Sequence, residues 1–275
     1  MHINIPDNVD LDYSNQYQLS IRVHADGCSL ALYDPLIEGS YFYHEVVYDK
    51  NQSALANFKE LFFTNEFLAL PYKKVQIMSY SSRFTCMPSV IYDDESKDKI
   101  LDFNFTKREQ RCLSQQLSRP ELHIIYDMSE EMYEFSHRSF ANPQFIHHIS
   151  PLISFFLTKS RMGNANKLIV NLQKDSLDVL CFQESGLTLV NNFQCNDVED
   201  AIYYVLYIWK QMKLNQLKDE IIVTGLPEGK EPMMSRLREY IKNIIPYNIA
   251  PDRHFSDVNI HNIPFDQLAL SLCEL

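Results

Sequence analysis

At 275 residues the chain has room for one or two domains, and 45 % hydrophobic against 22 % charged residues is enough to build a sizeable core. A net charge of −11 sets the surface against phosphate backbones, which dominate nucleic-acid affinity, so no nucleic-acid partner is expected. The longest apolar run, Ala201 to Trp209, is about half of a membrane span, and Met1 to Asp12 lacks the basic and apolar regions of a signal peptide, so a soluble cytoplasmic chain is expected.

The densest basic pairs, Lys73-Lys74 and Lys107-Arg108, are short. Six cysteines (Cys28, Cys86, Cys112, Cys181, Cys195, Cys273) are scattered without a C-x-x-C pair and read as free, mostly buried thiols. Glycine is scarce: six residues where average usage gives roughly nineteen. Loops that wrap phosphate need close backbone approach, so few places exist to build them.

Met1 to Gln18 is polar and reads as an arm on a partner or as a loosely held segment. Leu19 to Val23 alternates apolar and polar residues as a strand does, Asp26-Gly27 signals a hairpin, and Cys28 to Tyr33 is the return strand. Gly39 turns the chain into a third strand, Tyr41 to Tyr48. Ser53 to Phe63 is a helix with Leu55, Phe58, Leu61 and Phe62 on one face. Lys74 to Tyr80 and Ser82 to Cys86 are strands, and Asp93 to Pro120 is a polar loop-plus-helix insertion. Leu122 to Tyr126 is a strand, Ser129 caps a helix to about Phe140, Phe145 to His148 is a strand, and Pro151 opens a helix to Lys159.

Arg161 to Asn166 is the linker candidate, giving a first half at 1–163, with its insertion near 93–120, and a second at 164–275. In the second half Leu168 to Leu172, Leu177 to Phe182 and Leu187 to Phe193 are strands, with a turn at Lys174-Asp175-Ser176 and another at Gly186. Asp197 to Met212 is a helix. Strand Glu220 to Thr224, helix Pro232 to Asn243, a short strand near Tyr247 to Ile249 and a terminal helix from Phe265 follow. An offset of 149 carries Leu19, Ile21, Val23, Asp26, Leu30 and Tyr33 onto Leu168, Val170, Leu172, Asp175, Val179 and Phe182. After a two-residue change in loop length Gly39 maps onto Gly186. The pattern is that of an internal duplication.

A three-stranded meander, a helix, then alternating strands and helices, given twice, resembles the actin-like ATPase superfamily of actin, Hsp70 and the sugar kinases. The closer resemblance, carried by Phe84-Thr85-Cys86-Met87-Pro88 and by Phe145 to Pro151, is to a Bacteroidetes family of unknown function with that fold. The resemblance covers about residues 18–275. It implies an α/β fold of duplicated ribonuclease H-like halves with a cleft between them.

In active members the first hairpin of each half carries Asp-x-Gly, whose aspartates handle Mg²⁺ and water and whose glycine makes room for phosphate. Here Arg22 stands at the first aspartate and His24 at the first glycine, while Asn171 and Gln173 stand at their counterparts. Of the Gly-Gly that supports adenosine, Ile221 to Gly225 keeps only Gly225. These five are degenerate nucleotide-cleft positions. No catalytic residue, cofactor or metal ligand is therefore expected.

Gly225 to Glu231 departs from a P-loop, with three residues between its glycines and Glu after Lys230, and reads as a strand-to-helix loop. His147-His148 in a strand read as one buried and one exposed residue. Asp93-Asp94-Glu95 reads as a solvated turn. Tyr203, Tyr204, Tyr207 and Trp209 on one helix read mostly as core, with any surplus marking an interface. The expected function is a catalytically silent actin-like scaffold with a protein partner. The alternative is a divergent ATPase or phosphotransferase using Asp26 or Asp175, and a different α/β fold with an accidental repeat is a third reading. Arg22 would make the cleft attractive to an anion.

Overall fold

A computed structural model of the chain describes residues 1–106, 111–160, 163–226, 229–247, 249, 255, 260–273 and 275. The sequence readings on Lys107-Arg108, on Arg161 of the linker and on Pro227-Glu228 lie outside the described residues. The chain divides into two compact units: Met1–Gln116, His123–His148 and Pro251–Asn259 in the first, Leu117–Leu122, Ile149–Ala250 and Ile260–Leu275 in the second. No helix among the described residues is long and apolar enough to cross a membrane.

The chain begins with β1 (Gln18–His24), β2 (Gly27–Tyr33), β3 (Phe42–Val47), α1 (Ala54–Thr64), β4 (Lys74–Ser79), β5 (Phe84–Pro88), α2 (Lys97–Asn104), β6 (Arg111–Ser118), β7 (Glu121–Met128), α3 (Glu130–Ser139) and β8 (Gln144–His147). Five of these strands form a sheet in the order β3-β2-β1-β4-β8, and β5-β7-β6 form a smaller one. The chain continues through α4 (Ile149–Ser160), β9 (Lys167–Leu172), β10 (Ser176–Gln183), β11 (Gly186–Gln194), α5 (Val198–Gln211), β12 (Glu220–Gly225), α6 (Lys230–Leu237), β13 (Asn243–Pro246) and α7 (Phe265–Ser271). Its sheet has the order β11-β10-β9-β12-β13. The two five-stranded sheets therefore share one topology, three antiparallel strands followed by two parallel ones.

The duplication holds at the level of register. The first hairpin pairs Leu19 with Leu32 and Val23 with Cys28; an offset of 149 gives the observed pairs Leu168 with Cys181 and Leu172 with Leu177. The Asp26 carbonyl accepts from Tyr48 N at 2.9 Å, and the matching Asp175 carbonyl accepts from Cys195 N at 3.1 Å. Likewise Val23 O accepts from Tyr80 N, and Leu172 O from Leu226 N, each at 2.9 Å.

Burial explains why the pattern repeats. Leu19, Ile21, Leu30 and Leu32 of the first hairpin pack with Phe58 and Leu61 of α1. Leu168, Val170, Leu177 and Val179 pack with Ala201, Val205 and Ile208 of α5 and Met233 and Leu237 of α6. Side chains this buried are each worth about 1.5–3 kcal/mol relative to exposure, so the apolar alternation fixes which face of each strand turns inward. The helices start where their caps are. Ser53 Oγ accepts from Ala56 N at 3.1 Å, Ser129 Oγ from Met132 N at 3.4 Å, and Asp197 Oδ1 from Asp200 N at 2.9 Å.

Several expectations are corrected. The N-terminal segment is neither a free arm nor loose: Ile3 and Val9 are buried in the first core. Ile3 N donates to Asn65 Oδ1 at 2.7 Å, and Asn65 Nδ2 to Met1 O at 2.8 Å. The polar insertion contains β6, whose composition hides it, because its pairing is a backbone property and only Cys112 and Leu117 are buried. The helix expected to reach Asn243 ends at Leu237, and the following strand is Asn243–Pro246 rather than one near Tyr247. Asn243 Nδ2 bonds to the carbonyls of Leu217 and Asp219 (3.2 and 3.3 Å), which fixes the start of β13 beside β12. Helix α4 starts at Ile149, with Pro151 inside its first turn, where a missing N–H costs no helical bond.

Candidate functional site

The first hairpin brings Arg22 and His24 to one end of β1. Arg22 is buried in register with Ser29, and its guanidinium carbon lies 4.4 Å from the centroid of the Tyr80 ring. That stacking suits a planar, weakly hydrated cation in a low-dielectric place. His24 lies beside Gly27. The two-residue loop is Ala25-Asp26, and Gly27 opens β2 without a left-handed backbone. Its glycine is instead required by approach, since a Cβ there would collide with the Val46 carbonyl. Asp26 is exposed in the turn.

The equivalent end of β9 is a buried polar network. Asn171 is fully buried and in register with Asp178, and its Nδ2 donates to Asp178 Oδ2 over 2.9 Å. Gln173 Nε2 lies 3.3 Å from Asp178 Oδ2 and 3.3 Å from Asp266 Oδ2. Asn192 Nδ2 donates to Asp178 Oδ1 at 2.7 Å. Both carboxylates are wholly buried, and a buried carboxylate is tolerated only when donors surround it. The remaining oxygen of Asn171, Oδ1, has no hydrogen-bond partner among the described residues. Asp175 is exposed in its turn. Sequence reasoning missed Asp178 and Asp266. The available signal for Asp178 was an acid inside the apolar strand Leu177-Asp178-Val179-Leu180, in register with Asn171 once the hairpin is drawn.

Gly225 closes β12 with φ +95°, and a Cβ there would collide with the backbone of Leu172. Beside it lies a cavity of about 370 Å³ whose walls include Thr224, Lys230, Met234, Ile263, Phe265 and Leu268. An aromatic cluster supports its rim. Phe156 of α4 stacks on Phe265 of α7 at 5.6 Å between centroids, and Tyr247 meets Phe265 edge-on at 5.8 Å. Burial pushes the Lys230 ammonium below its ordinary pKa, with Glu231 working the other way. Its Nζ donates to Tyr247 O at 3.4 Å. Gly229 takes the left-handed conformation, φ +78°, as the residue before α6.

His147 and His148 do not divide into one buried and one exposed residue. Both are wholly buried with ring centroids 4.4 Å apart, because β8 ends at His147 and the backbone turns at His148. His147 Nε2 lies 3.0 Å from Ser81 O. Asp93 caps the short 3-10 turn Asp94–Ser96, and Asp94 pairs with Lys97 at 2.9 Å. On α5, Trp209 is core, Tyr204 stacks on Phe193 at 4.5 Å, and Tyr203 and Tyr207 stay 62 % and 47 % exposed. Among the described residues no group of three or more His, Cys, Asp or Glu side chains is placed to hold a metal ion.

Comparison with known proteins matches this geometry. A Bacteroides thetaiotaomicron protein with an actin-like ATPase fold and unknown function is 36 % identical, over 97 % of this chain and 99 % of that one, with a TM-score of 0.84. A chain of the PilM–PilN type IV pilus biogenesis complex is similar at a TM-score of 0.52 and 11 % identity, over 93 % and 96 % of the two chains. The curated proteins contain no match. The fold is thus that of the actin-like ATPases. Residues 6–244 match the family described as protein of unknown function (DUF3822), and the chain belongs to that family.

Proposed function

We propose that this chain is an actin-like protein without ATP turnover that acts by binding a protein partner. The observation that carries this reading is the use of Asn171 and Gln173, at the expected phosphate-facing positions, to satisfy the buried Asp178 and Asp266. In the first unit the corresponding Arg22 is buried under Tyr80. A carboxylate that handles Mg²⁺ is replaced by a fixed cation in one half and by an amide in the other. The residues present do not fit Mg²⁺ with a polyphosphate: the Asp178 oxygens already accept from the Asn171, Gln173 and Asn192 amides, an Asp266 oxygen lies 3.3 Å from Gln173 Nε2, and the matching position of the first unit holds the buried cation Arg22. Asp26 and Asp175 stand in exposed turns, and their backbone carbonyls accept from Tyr48 N and Cys195 N, the residues just past β3 and β11, which supports a turn-forming role over a catalytic one.

The stacked pair Tyr203 and Tyr207, 6.2 Å between centroids on the outer face of α5, favours a partner, since exposed aromatics are enriched at interfaces. The similar fold in the PilM–PilN complex supports the same use. The test is titration with Mg·ATP and Mg·ADP together with a phosphate-release assay, and affinity capture with wild type and Tyr203→Ala/Tyr207→Ala. No phosphate release and a partner lost in the double variant are expected. Steady turnover would overturn the first half of the reading, and capture unchanged by the double variant would overturn the assignment of α5.

A further inference from the structure

The outer strand of the second five-stranded sheet ends that sheet on an edge that a second chain can extend. We propose that β11 pairs antiparallel with β11 of a second copy about a two-fold axis at Asn191, which joins the β11 edges of the two copies and brings their α5 helices together. The proposal names the partner of the α5 face, and in that respect it rests on the preceding reading.

Among the described residues β11 pairs with β10 alone. Cys195 N donates inward to Asp175 O. Antiparallel ladders alternate, so the backbone groups of Gln194, Asn192 and Val190 point away from β10. Asn192 N bears this out, donating at 2.9 Å to Oδ1 of its neighbour Asn191 rather than to β10. Sheet edges are ordinarily blunted by charge, by proline or by shortness. Edge strands β3 and β6 carry Glu45 and Arg111, β5 and β13 end at Pro88 and Pro246, and β8 has four residues. In contrast, β11 runs nine residues from Gly186 to Gln194 with neither charge nor proline. A bulge at Thr188, between Leu187 and Leu189, leaves Leu189 to Gln194 as a regular edge.

The chemistry of this edge selects a second copy. A chain of net charge −11 repels its own kind except where charge is absent, and β11 is such a place. Pairing about Asn191 sets Leu189 opposite Phe193 of the second copy and Val190 opposite its Asn192. No like charges meet, and an aliphatic side chain faces an aromatic one. The aromatic surface continues from strand to helix. Phe193 stacks on Tyr204 at 4.5 Å, Tyr203 meets Tyr204 edge-on at 5.4 Å, and Tyr203 stacks on Tyr207 at 6.2 Å. The exposed Tyr203 and Tyr207 therefore lie on the flank of α5 nearest β11. A two-fold axis sets these tyrosines against those of the second copy, and the contact closes at two chains.

Sedimentation velocity of the full chain over a range of concentrations tests this, with Asn191→Lys, Asn191→Glu and an equal mixture of the two. Asn191 is exposed, and its partner Asn192 rather than Asn191 bonds Asp178, so both variants should fold as wild type does, which their melting curves check. Wild type is expected to dimerise. Each variant alone should dimerise at least tenfold more weakly, because its new charge meets its own copy. The mixture should recover dimers that hold one chain of each kind. Should a charge variant fail to fold, Gln194→Pro serves in its place; it removes an outward N–H, leaves the ladder to β10 intact and should likewise weaken the dimer. A chain that stays monomeric at every concentration, or a dimer as tight in the folded variants as in wild type, would overturn the proposal. A monomer that captures another protein through Tyr203 and Tyr207 would do so while leaving the preceding reading standing.

Discussion

Asn171 and Asp178 face each other in register across β9 and β10, joined by a 2.9 Å hydrogen bond from Asn171 Nδ2 to Asp178 Oδ2. The duplicate of this pair in the first unit is Arg22 opposite Ser29. Each half thus answers the same strand position with different polar chemistry. Asn171→Asp, which puts an acid where the resemblance to the actin-like ATPases expects one, removes a donor and adds a like charge beside a wholly buried carboxylate. It is expected to lower stability by about 2–4 kcal/mol at neutral pH, with no gain of phosphate release. Urea denaturation and the release assay check both points; a variant as stable as wild type that hydrolyses ATP contradicts them.

Two glycines separate conformational strain from collision. Gly186 has φ +102° with open space around its missing Cβ, whereas Gly225 has φ +95° and the Leu172 backbone in the way. Gly186→Ala should cost only the left-handed backbone term, about 1–2 kcal/mol. Gly225→Ala should cost more than about 3 kcal/mol, because β12 must also move off β9. Chemical denaturation of the two variants side by side ranks them; equal losses would show that β12 and β9 yield without resistance.

The hairpins, their offset of 149 and the helix starts at Ser53, Ser129 and Asp197 were legible because apolar alternation and capping are local properties of the chain. The strand β6 was not, since Arg111–Ser118 is polar and its partner lies beyond the turn at Arg119-Pro120. The positions Arg22, His24, Asn171 and Gln173 could be named from the resemblance to the actin-like ATPases, but not what their side chains touch. The Asn171–Asp178–Gln173–Asp266 network joins residues 93 positions apart, from Gln173 to Asp266, and no spacing rule reaches that far. The same holds for the His147-His148 pair, where a strand ending one residue early buries both rings.

Cys28 illustrates how burial governs thiol chemistry. It is fully buried, and desolvation pushes its pKa up to about 12, with the Tyr48 hydroxyl working in the other direction. The nucleophile is the thiolate, so at pH 8 the reactive fraction is on the order of 10⁻⁴ before access is considered. A pulse of iodoacetamide followed by peptide mapping should leave Cys28 unmodified in the native protein and label it fully in urea. Native labelling within minutes would mean that β2 opens readily at this position.

His123 links the β5-β7-β6 sheet to pH. Its ring stacks on Tyr92 at 3.7 Å between centroids, and its Nδ1 lies 3.4 Å from Ser114 Oγ. Burial lowers its pKa below 6.5, and Asp94 opposes that only in part. A depressed histidine pKa means that the unfolded chain binds more protons than the folded one between the two values. Stability therefore rises with pH across that window and falls as the medium is acidified through 6.5. His123→Phe keeps a ring against Tyr92 and removes the titration. The melting temperatures of variant and wild type should diverge in favour of the variant on going from pH 7 toward pH 5. Parallel curves would mean that His123 titrates alike in the folded and unfolded chain.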